Sequence, residues 1–254
     1  MNYLVGDIGN TSVKISILNH KFDIKKSYNL ETNKLYIKKN INIFFKKFLN
    51  KNLNKKVLFS SVVPKAYKTI KKYLKKKNFR SFEIKDLKIK KILKINIKNF
   101  SQLGSDRIAN AVGAKSGKNC LVIDFGTATT FDILKNSEYD GGVIAPGVDL
   151  SIKNLNKFTA LLPLLILNNK QNNYGKNTKE ALNAGFLWGY EGLVNNIINK
   201  IIIKSKKNYK IILTGGYAKM FKKFIKKKTV IDQNITIKGI AKVYKELLLW
   251  IKKN

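Results

Sequence analysis

The chain has few of the residues that build disulfides and metal centres. Its 254 residues include one cysteine, Cys120, and one histidine, His20. A single cysteine cannot form an internal disulfide, and the two residues together supply too few ligands for a cysteine- or histidine-bound zinc. A Ser-His-Asp triad is also improbable, because His20 would be the only imidazole available to it. We therefore expect a protein of a reducing compartment whose chemistry relies on other side chains.

Long apolar runs are also missing. No uninterrupted apolar stretch reaches the roughly 18 residues that a membrane-spanning helix requires, and the first residues, MNYLVGD, do not form a basic segment followed by an apolar one. Hydrophobic residues nevertheless make up 44% of the sequence, which is enough to build a sizeable core in one large domain or two ordinary ones. We expect a cytoplasmic protein without a membrane partner.

Acidic residues are scarce, and the formal net charge is therefore +36. Such a charge could serve nucleic-acid binding. Only Arg80 and Arg107 among the 51 basic residues are arginines, however, and the lysines are scattered along the chain, whereas nucleic-acid readers favour arginine forks and stacked aromatics. Lysine, asparagine and isoleucine are all abundant, and adenine- and thymine-rich codons can specify all three. The sequence therefore predicts a solvated lysine surface and no specific nucleic-acid partner.

Glycine is absent between Gly9 and Gly104 and clusters outside that gap. A motif at residues 4–11, LVGDIGNT, returns at residues 121–128 as LVIDFGTA. Apolar residues alternate after both copies, which predicts a strand, a tight Asp-x-Gly turn and a second strand. A Rossmann fingerprint or a P-loop would continue into a helix instead. The duplication predicts an α/β fold of two similar halves, residues 1–116 and 117–254, that face each other across a central cleft.

Hydrophobic periodicity predicts the remaining elements. Helices are expected near residues 65–77, 107–117, 150–162 and 178–204, and buried strands near residues 57–63 and 211–213. The chain is expected to close with a strand over residues 235–237 and a helix over residues 239–252.

The glycine turns are suited to binding phosphate. Successive N–H groups of such a turn can point at phosphate oxygens, and Gly9 removes the Cβ that would keep a phosphate away. Asn10 and Thr11 add side-chain donors, while Asp7 at the strand end suits Mg²⁺ held through its water shell. With a second turn after Asp124 and a third at residues 214–216, the sequence predicts a bound nucleoside triphosphate.

Together these motifs resemble the type III pantothenate kinases, a family within the ribonuclease H-like, actin-like ATPases. The resemblance rests on six motifs in family order, namely DIGNT at 7–11, GSDR at 104–107, DFGTATTFD at 124–132, GGVIAPG at 141–147, GKNT at 175–178 and TGG at 214–216. It implies two actin-like halves around a nucleotide cleft and ATP-dependent phosphorylation of pantothenate to 4'-phosphopantothenate, the first step of coenzyme A biosynthesis. It also implies ATP, Mg²⁺ and K⁺ (or NH₄⁺) as cofactors, and a homodimer.

The same resemblance implies roles for individual residues. The ATP contacts would be Asp7, Ile8, Gly9, Asn10, Thr11, Ser12, Val13 and Lys14 in the first loop, and Thr127 in the second. The pantothenate contacts would be Gly104, Ser105, Asp106, Arg107 and Thr178. Asp106 would also accept the proton of the substrate hydroxyl, and Asp124 would hold the monovalent cation. The family usually has an aromatic residue seven positions before Gly104, where this sequence has Ile97.

The residues by themselves leave some alternatives open. A primary alcohol is hardly ionised at neutral pH, so a carboxylate such as Asp106 would assist its attack on a γ-phosphate. Asp106 could instead cap the helix that begins near Arg107. The whole chain could be a catalytically inactive regulatory or binding protein of the same fold, or a kinase of the superfamily that acts on another small substrate. Joint retention of Asp7, Asp106 and Asp124 favours an enzyme, because a pure binder would not need all three.

Overall fold

The computed structural model describes residues 1–49, 52–170 and 173–250. Within them the chain forms two compact units, one built from residues up to Ser116 together with those from Asn234 onward, the other from Gly117 to Gln233. The described residues from Asn234 onward therefore group with the first 116 residues and not with the segment that directly precedes them. No helix in the described residues is long and apolar enough to cross a bilayer.

The first unit is built on a five-stranded sheet with the strand order β3-β2-β1-β4-β5. The strands are β1 (Asn2–Ile8), β2 (Ser12–Leu18), β3 (Ile24–Glu31), β4 (Leu53–Ser61) and β5 (Arg80–Glu83), and the helices are α1 (Lys38–Lys46), α2 (Pro64–Lys75) and α3 (Ser105–Ala114). β1, β2 and β3 form an antiparallel meander, while β4 and β5 continue the sheet in parallel from β1.

The second unit repeats this topology with the strand order β8-β7-β6-β9-β10. Its strands are β6 (Cys120–Phe125), β7 (Ala128–Lys135), β8 (Glu138–Pro146), β9 (Lys210–Gly215) and β10 (Thr229–Ile231), and its helices are α4 (Val148–Lys157), α5 (Thr178–Ser205) and α6 (Ala218–Phe221). β6, β7 and β8 are antiparallel, and β9 and β10 run parallel to β6. The duplicated motif therefore opens the corresponding hairpin, β1–β2 or β6–β7, of two sheets with the same connectivity.

The distribution of lysine on α2 shows how a chain this basic still forms a core. Ala66, Ile70 and Leu74, spaced four residues apart, are fully buried on the sheet side of the helix. Pro64 occupies the first turn, where its missing N–H costs no hydrogen bond. The lysines of the same helix lie on the opposite, solvated face, as at Lys72. The charge is thus carried by surfaces that do not compete with packing.

The segment after residue 234 differs from its predicted form. It is a helix, α7 (Ile235–Val243), and not a strand followed by a helix. The β-branched residues at its start favour strands by propensity, but Ile235, Ile237 and Ile240 are buried by packing on α3 and the first sheet. Of the predicted closing helix, residues 251 and 252 lie outside the described residues.

Close helix packing explains why α7 joins the first unit. A Cβ at Gly239 would stand 1.8 Å from the carbonyl oxygen of Ala109, and one at Gly113 would stand 2.4 Å from that of Ile235. Only glycine allows the two backbones to approach this closely. Tertiary packing therefore overrides the local strand preference of this segment.

Candidate functional site

The first candidate loop is the turn between β1 and β2. The Gly9 N–H donates to the Ser12 carbonyl at 3.0 Å and closes the turn, whose tip residues Asn10 and Thr11 are exposed. Thr32 anchors the loop, because its hydroxyl donates to the Gly9 carbonyl at 2.7 Å and its N–H donates to the Thr11 carbonyl at 3.0 Å. These bonds fix the loop through its carbonyl groups and present its tip to solvent.

Asp7 lies one residue before the end of β1, next to Ser60 of β4 and Lys14 of β2 in the sheet register. Burial and the nearby Asp106 carboxylate raise the pKa of Asp7 to about 6, against the smaller opposing effects of Ser60 and Lys14. The Lys14 ammonium donates to Asn234 Oδ1 at 2.8 Å, at the start of α7. Two carboxylates from different elements therefore interact at this edge of the first unit.

Asp106 belongs to the first turn of α3, whose N-cap is Gly104. Its Oδ1 accepts the Arg107 N–H at 2.8 Å, and a Cβ at Gly104 would stand 2.4 Å from that oxygen. Burial raises the pKa of Asp106, while Arg107 and the Lys85 ammonium lower it. The carboxylate satisfies one N–H of the first helical turn, while Gly104 holds the N-cap position, and it also interacts electrostatically with Asp7.

The second candidate loop joins β6 to β7 and is surrounded by backbone. The Gly126 N–H donates to the Ala128 carbonyl at 3.1 Å, and the Gly216 N–H donates to the Phe125 carbonyl at 3.1 Å. A Cβ at Gly215, whose φ is +86°, would stand 2.6 Å from Asp124 Oδ1, and one at Gly147 would stand 2.0 Å from the Thr127 carbonyl oxygen. The DFGTATTFD, GGVIAPG and TGG motifs thus converge around Asp124 and Thr127.

Asp124 lies in an oxygen-rich setting. The sheet register places Thr130 of β7 on one side of it and Thr214 of β9 on the other. Carboxylate, hydroxyl and carbonyl oxygens are hard ligands, and the glycine at position 215 keeps a side chain away from the carboxylate. The donors present fit a monovalent cation.

Thr178 is the first residue of α5 and lines a cavity of about 650 Å³ within the second unit. The Asn177 side chain caps the helix by accepting the Glu180 N–H at 3.0 Å. The cavity runs between α4 and α5, and most of its lining is apolar, as at Leu155 and Phe186. Thr178 therefore adds a hydroxyl to a largely apolar pocket.

Comparison with known proteins decides the family. The family model for type III pantothenate kinase matches residues 3–200. A type III pantothenate kinase from Pelagibacter ubique (strain HTCC1062) is 44% identical over 94% of this chain and 97% of its own length. This chain belongs to the type III pantothenate kinase family. Type III pantothenate kinases transfer a phosphoryl group from ATP to pantothenate at the entry to coenzyme A biosynthesis, and the chain is accordingly an ATP-dependent kinase.

Solved structures confirm the fold class. A Campylobacter jejuni protein designated a Baf-family transcriptional activator matches with a TM-score of 0.61 at 23% identity, covering 96% of this chain and 98% of its own. The activator of 2-hydroxyisocaproyl-CoA dehydratase from Clostridium difficile, solved with bound ADPNP, matches with a TM-score of 0.52 at 12% identity, covering 100% of this chain and 99% of its own. The predicted α/β class with two similar halves of the actin-like ATPase type is therefore confirmed for this pantothenate kinase.

Several residues that shape the site of this pantothenate kinase were not predicted from the sequence. Thr32, which anchors the first loop, and Lys85, which faces Asp106, lie in the lysine-rich, glycine-free region that carries little pattern. Glu83, which interacts with Ser105 of α3, lies in the same region. The one sequence signal that could have identified it is the scarcity of acidic residues, because the chain has only 15 of them. Within the described residues no group of three or more histidine, cysteine or acidic side chains is placed to hold a metal ion by itself.

Proposed function

We propose that this pantothenate kinase uses Asp106 as its general base and binds ATP through residues 7–14 and Thr127. Gly104, Ser105, Arg107 and Thr178 are the pantothenate contacts in this proposal. The observation that carries it is the pairing of the Asp106 carboxylate with Asp7, beside an exposed glycine turn in the same unit. Such a pairing raises pKa values where acid–base chemistry is needed.

Asp106 has the properties of a base for an alcohol. Partial burial raises its pKa and therefore its affinity for the proton released as the hydroxyl attacks. Arg107 and Lys85 oppose that rise, so the carboxylate remains available to accept a proton. The Arg107 N–H donates to one carboxylate oxygen at 2.8 Å and so restrains the orientation of the Asp106 side chain.

Two cations fit the carboxylates described above. Asp7 and Asp106 form a pair of like charges, which a hydrated Mg²⁺ held by Asp7 would relieve. Mg²⁺ neutralises the charge that develops on the transferring phosphoryl group. We propose Asp124 as the residue that holds K⁺ or NH₄⁺, on the evidence of its oxygen-rich surroundings.

We further propose that the kinase is a homodimer that pairs through the apolar surface around α5. Phe158, Leu161 and Ile166, which precede α5, are between 76% and 90% exposed, and Trp188 on the helix is 45% exposed. Large exposed apolar side chains of this kind mark an interaction site when they form a patch. The cavity that Thr178 lines is bordered by α5 as well, at Phe186 and Gly189, so in this proposal the partner copy covers it.

Small residues on α5 allow a specific test of the dimer. No described atom lies within 4 Å of where a Cβ would stand at Gly185 or Gly189. Gly189→Leu should therefore leave the isolated unit intact, and even favour the helix by about 1 kcal/mol, while blocking a second copy. Sedimentation velocity should show a dimer for the wild type and a monomer for Gly189→Leu. Lys72→Leu, which adds a leucine to exposed α2, serves as the matched control and should remain dimeric.

The activity test is a coupled ADP-release assay with pantothenate, pantetheine and simple sugars, each run in NaCl and in KCl. We expect turnover with pantothenate that increases in KCl. Turnover with a sugar but not with pantothenate would overturn the assigned substrate. Equal rates in the two salts would overturn the cation assignment alone.

We also propose that the kinase acts in the cytoplasm and has no specific nucleic-acid partner, and a salt titration tests the second of these two proposals. Binding of DNA or RNA by scattered lysines should be independent of sequence and lost at physiological salt, because each phosphate contact releases counterions. Pantothenate-dependent ADP release should survive, since its contacts are short-range. Tight, sequence-selective binding without turnover would favour a regulatory protein instead.

A further inference from the structure

The turn that follows β5 contacts the loop that carries Asp106. This turn, residues 83–86, begins at Glu83, the last residue of β5, and continues as a short 3-10 helix, Ile84–Asp86. None of its residues belongs to the six family motifs, yet Glu83 and Lys85 both interact with residues 101–106. We call it the 83–86 turn.

Glu83, at the end of β5, has a half-buried carboxylate that interacts with the first turn of α3. Its Oε2 accepts the Lys85 N–H at 2.6 Å, which stabilises the turn itself. Burial raises the pKa of Glu83, while the Ser105 hydroxyl and the Lys85 and Ser61 N–H groups lower it. Oε1 is buried and makes no hydrogen bond of normal geometry within the described residues. Such an oxygen has a strong need for a donor, and the Ser105 hydroxyl in the first turn of α3 is a nearby donor group that lowers the pKa of the Glu83 carboxylate.

Lys85 contacts the loop that precedes α3. Its ammonium donates to the Ser101 carbonyl at 2.9 Å, three residues before the N-cap Gly104. The same ammonium lowers the pKa of Asp106. Glu83 and Lys85 therefore interact with Ser105, inside the GSDR motif, and with Ser101, three residues before the motif begins.

We propose that Glu83 and Lys85 are positioning residues that hold Asp106 in place for proton transfer. The proposal rests on the function proposed above, in which Asp106 is the base. α3 begins at Ser105, so the position of its first turn determines where the Asp106 carboxylate stands relative to Asp7 of β1. The 83–86 turn links that first turn to the sheet through β5, which pairs with β4, which pairs with β1. An error of 1 Å at a reacting group costs about a hundredfold in rate.

The test compares Glu83→Gln and Lys85→Gln with matched controls of the same chemistry. Glu31→Gln removes an exposed carboxylate that pairs with Lys34, and Lys88→Gln removes an exposed lysine close to the turn. We expect kcat to fall about tenfold or more in the two turn variants, with KM for ATP within about twofold of wild type because the ATP loop at residues 7–14 is untouched. The controls should keep wild-type kcat, and Lys85→Arg, which keeps the charge and a donor, should recover most of it.

Hydrogen exchange measures the positioning itself, independently of turnover. Amides of residues 101–107 should exchange faster in both turn variants than in the wild type and the controls, and those of α2 should not change. Unchanged exchange at residues 101–107 would overturn the proposal, whatever the activity. A fall in melting temperature with unchanged kcat would also overturn it, since the turn would then be structural only. An inactive wild type, or full activity of Asp106→Asn, would refute the proposed function instead. Hydrogen exchange at residues 101–107 would still show whether the 83–86 turn holds this loop.

Discussion

The hairpins β1–β2 and β6–β7 share one topology and one Asp-x-Gly turn, but their surroundings differ. Side chains secure the first, through Thr32 beneath the turn and the bond from Lys14 to Asn234. Backbone secures the second, where a Cβ at Gly147 would stand 2.0 Å from the Thr127 carbonyl oxygen. At Gly9 the nearest atom to a Cβ, the Ser12 carbonyl oxygen, would be 3.2 Å away.

The two hairpins therefore differ in how strongly packing within the chain requires their glycines. At the first turn a small side chain at Gly9 would need a shift of only a few tenths of an ångström, so packing alone does not require glycine there, which agrees with the ATP contact proposed above. At the second turn Gly147 and Gly215 are required by the chain itself, since a methyl group on either would overlap with backbone atoms. Asp7 and Asp106 make the first site electrostatically strained, whereas Asp124 has hydroxyl neighbours in the sheet register. Equivalent substitutions in the two hairpins should therefore fail in different ways.

The largest effect should come from Asp106→Asn in the first unit. The variant keeps the shape of the side chain but cannot accept a proton, so kcat should fall by about two to four decades, the range for loss of a general base. ATP affinity measured by calorimetry should stay within about threefold, because the phosphate loop at residues 7–14 is intact. A kcat close to that of the wild type would refute the assignment of Asp106 as the general base.

A pair of alanine substitutions tests the steric contrast between the hairpins. Gly147→Ala should cost about 1–3 kcal/mol of unfolding free energy, the usual range for overpacking, and should be measured by chemical denaturation. Gly9→Ala should cost less than about 1 kcal/mol, because the Ser12 carbonyl needs to move by only a few tenths of an ångström. Gly9→Ala should nevertheless weaken ATP binding. Equal losses of stability in the two variants would contradict the proposed steric difference between the two hairpins.

Asp7→Asn tests the electrostatic strain of the first site. The pKa of Asp7 is raised to about 6 in the folded protein, above its value in an unfolded chain, so the folded state binds the extra proton between about pH 4 and pH 6. The stabilisation that the wild type gains by binding this proton at Asp7 is therefore present at low pH and lost as the pH rises through 6. Asp7→Asn should be more stable than wild type at pH 7 by about 1–2 kcal/mol, after allowance for partial exposure. Denaturation at pH 7 and pH 4 should show that this advantage disappears at the lower pH; an advantage of equal size at both would contradict it.

Asp124→Asn should have the smallest effect, and a different one. Removal of the charge should weaken the response to K⁺ by about tenfold, the size of one charge-assisted contact, with little loss of stability. Initial rates measured over a KCl titration at constant ionic strength provide the test. If the variant responds to K⁺ as the wild type does, Asp124 is not the cation ligand.

Local patterns in the sequence identified the parts of this fold that depend on local physics. Alternation of apolar residues after each Asp-x-Gly turn is a property of a few consecutive residues, and both hairpins formed as predicted. The hydrophobic periodicity near residues 65–77 likewise placed α2 within two residues of its observed bounds, Pro64–Lys75. The family motifs themselves were recognisable without a structure, because each is a short run with a fixed spacing.

Only the tertiary structure decided the features that depend on distant partners. Ile235 and its neighbours have the local preferences of a strand, yet form α7 because Gly113 and Gly239 let two helices pack backbone to backbone. The interaction of the 83–86 turn with the Asp106 loop joins residues about twenty positions apart in a region without pattern. The raised pKa of Asp7 depends on burial and on a carboxylate some hundred residues away. Short-range periodicity encodes strands, turns and helices, whereas the electrostatics of the site arises only when separate elements are packed together.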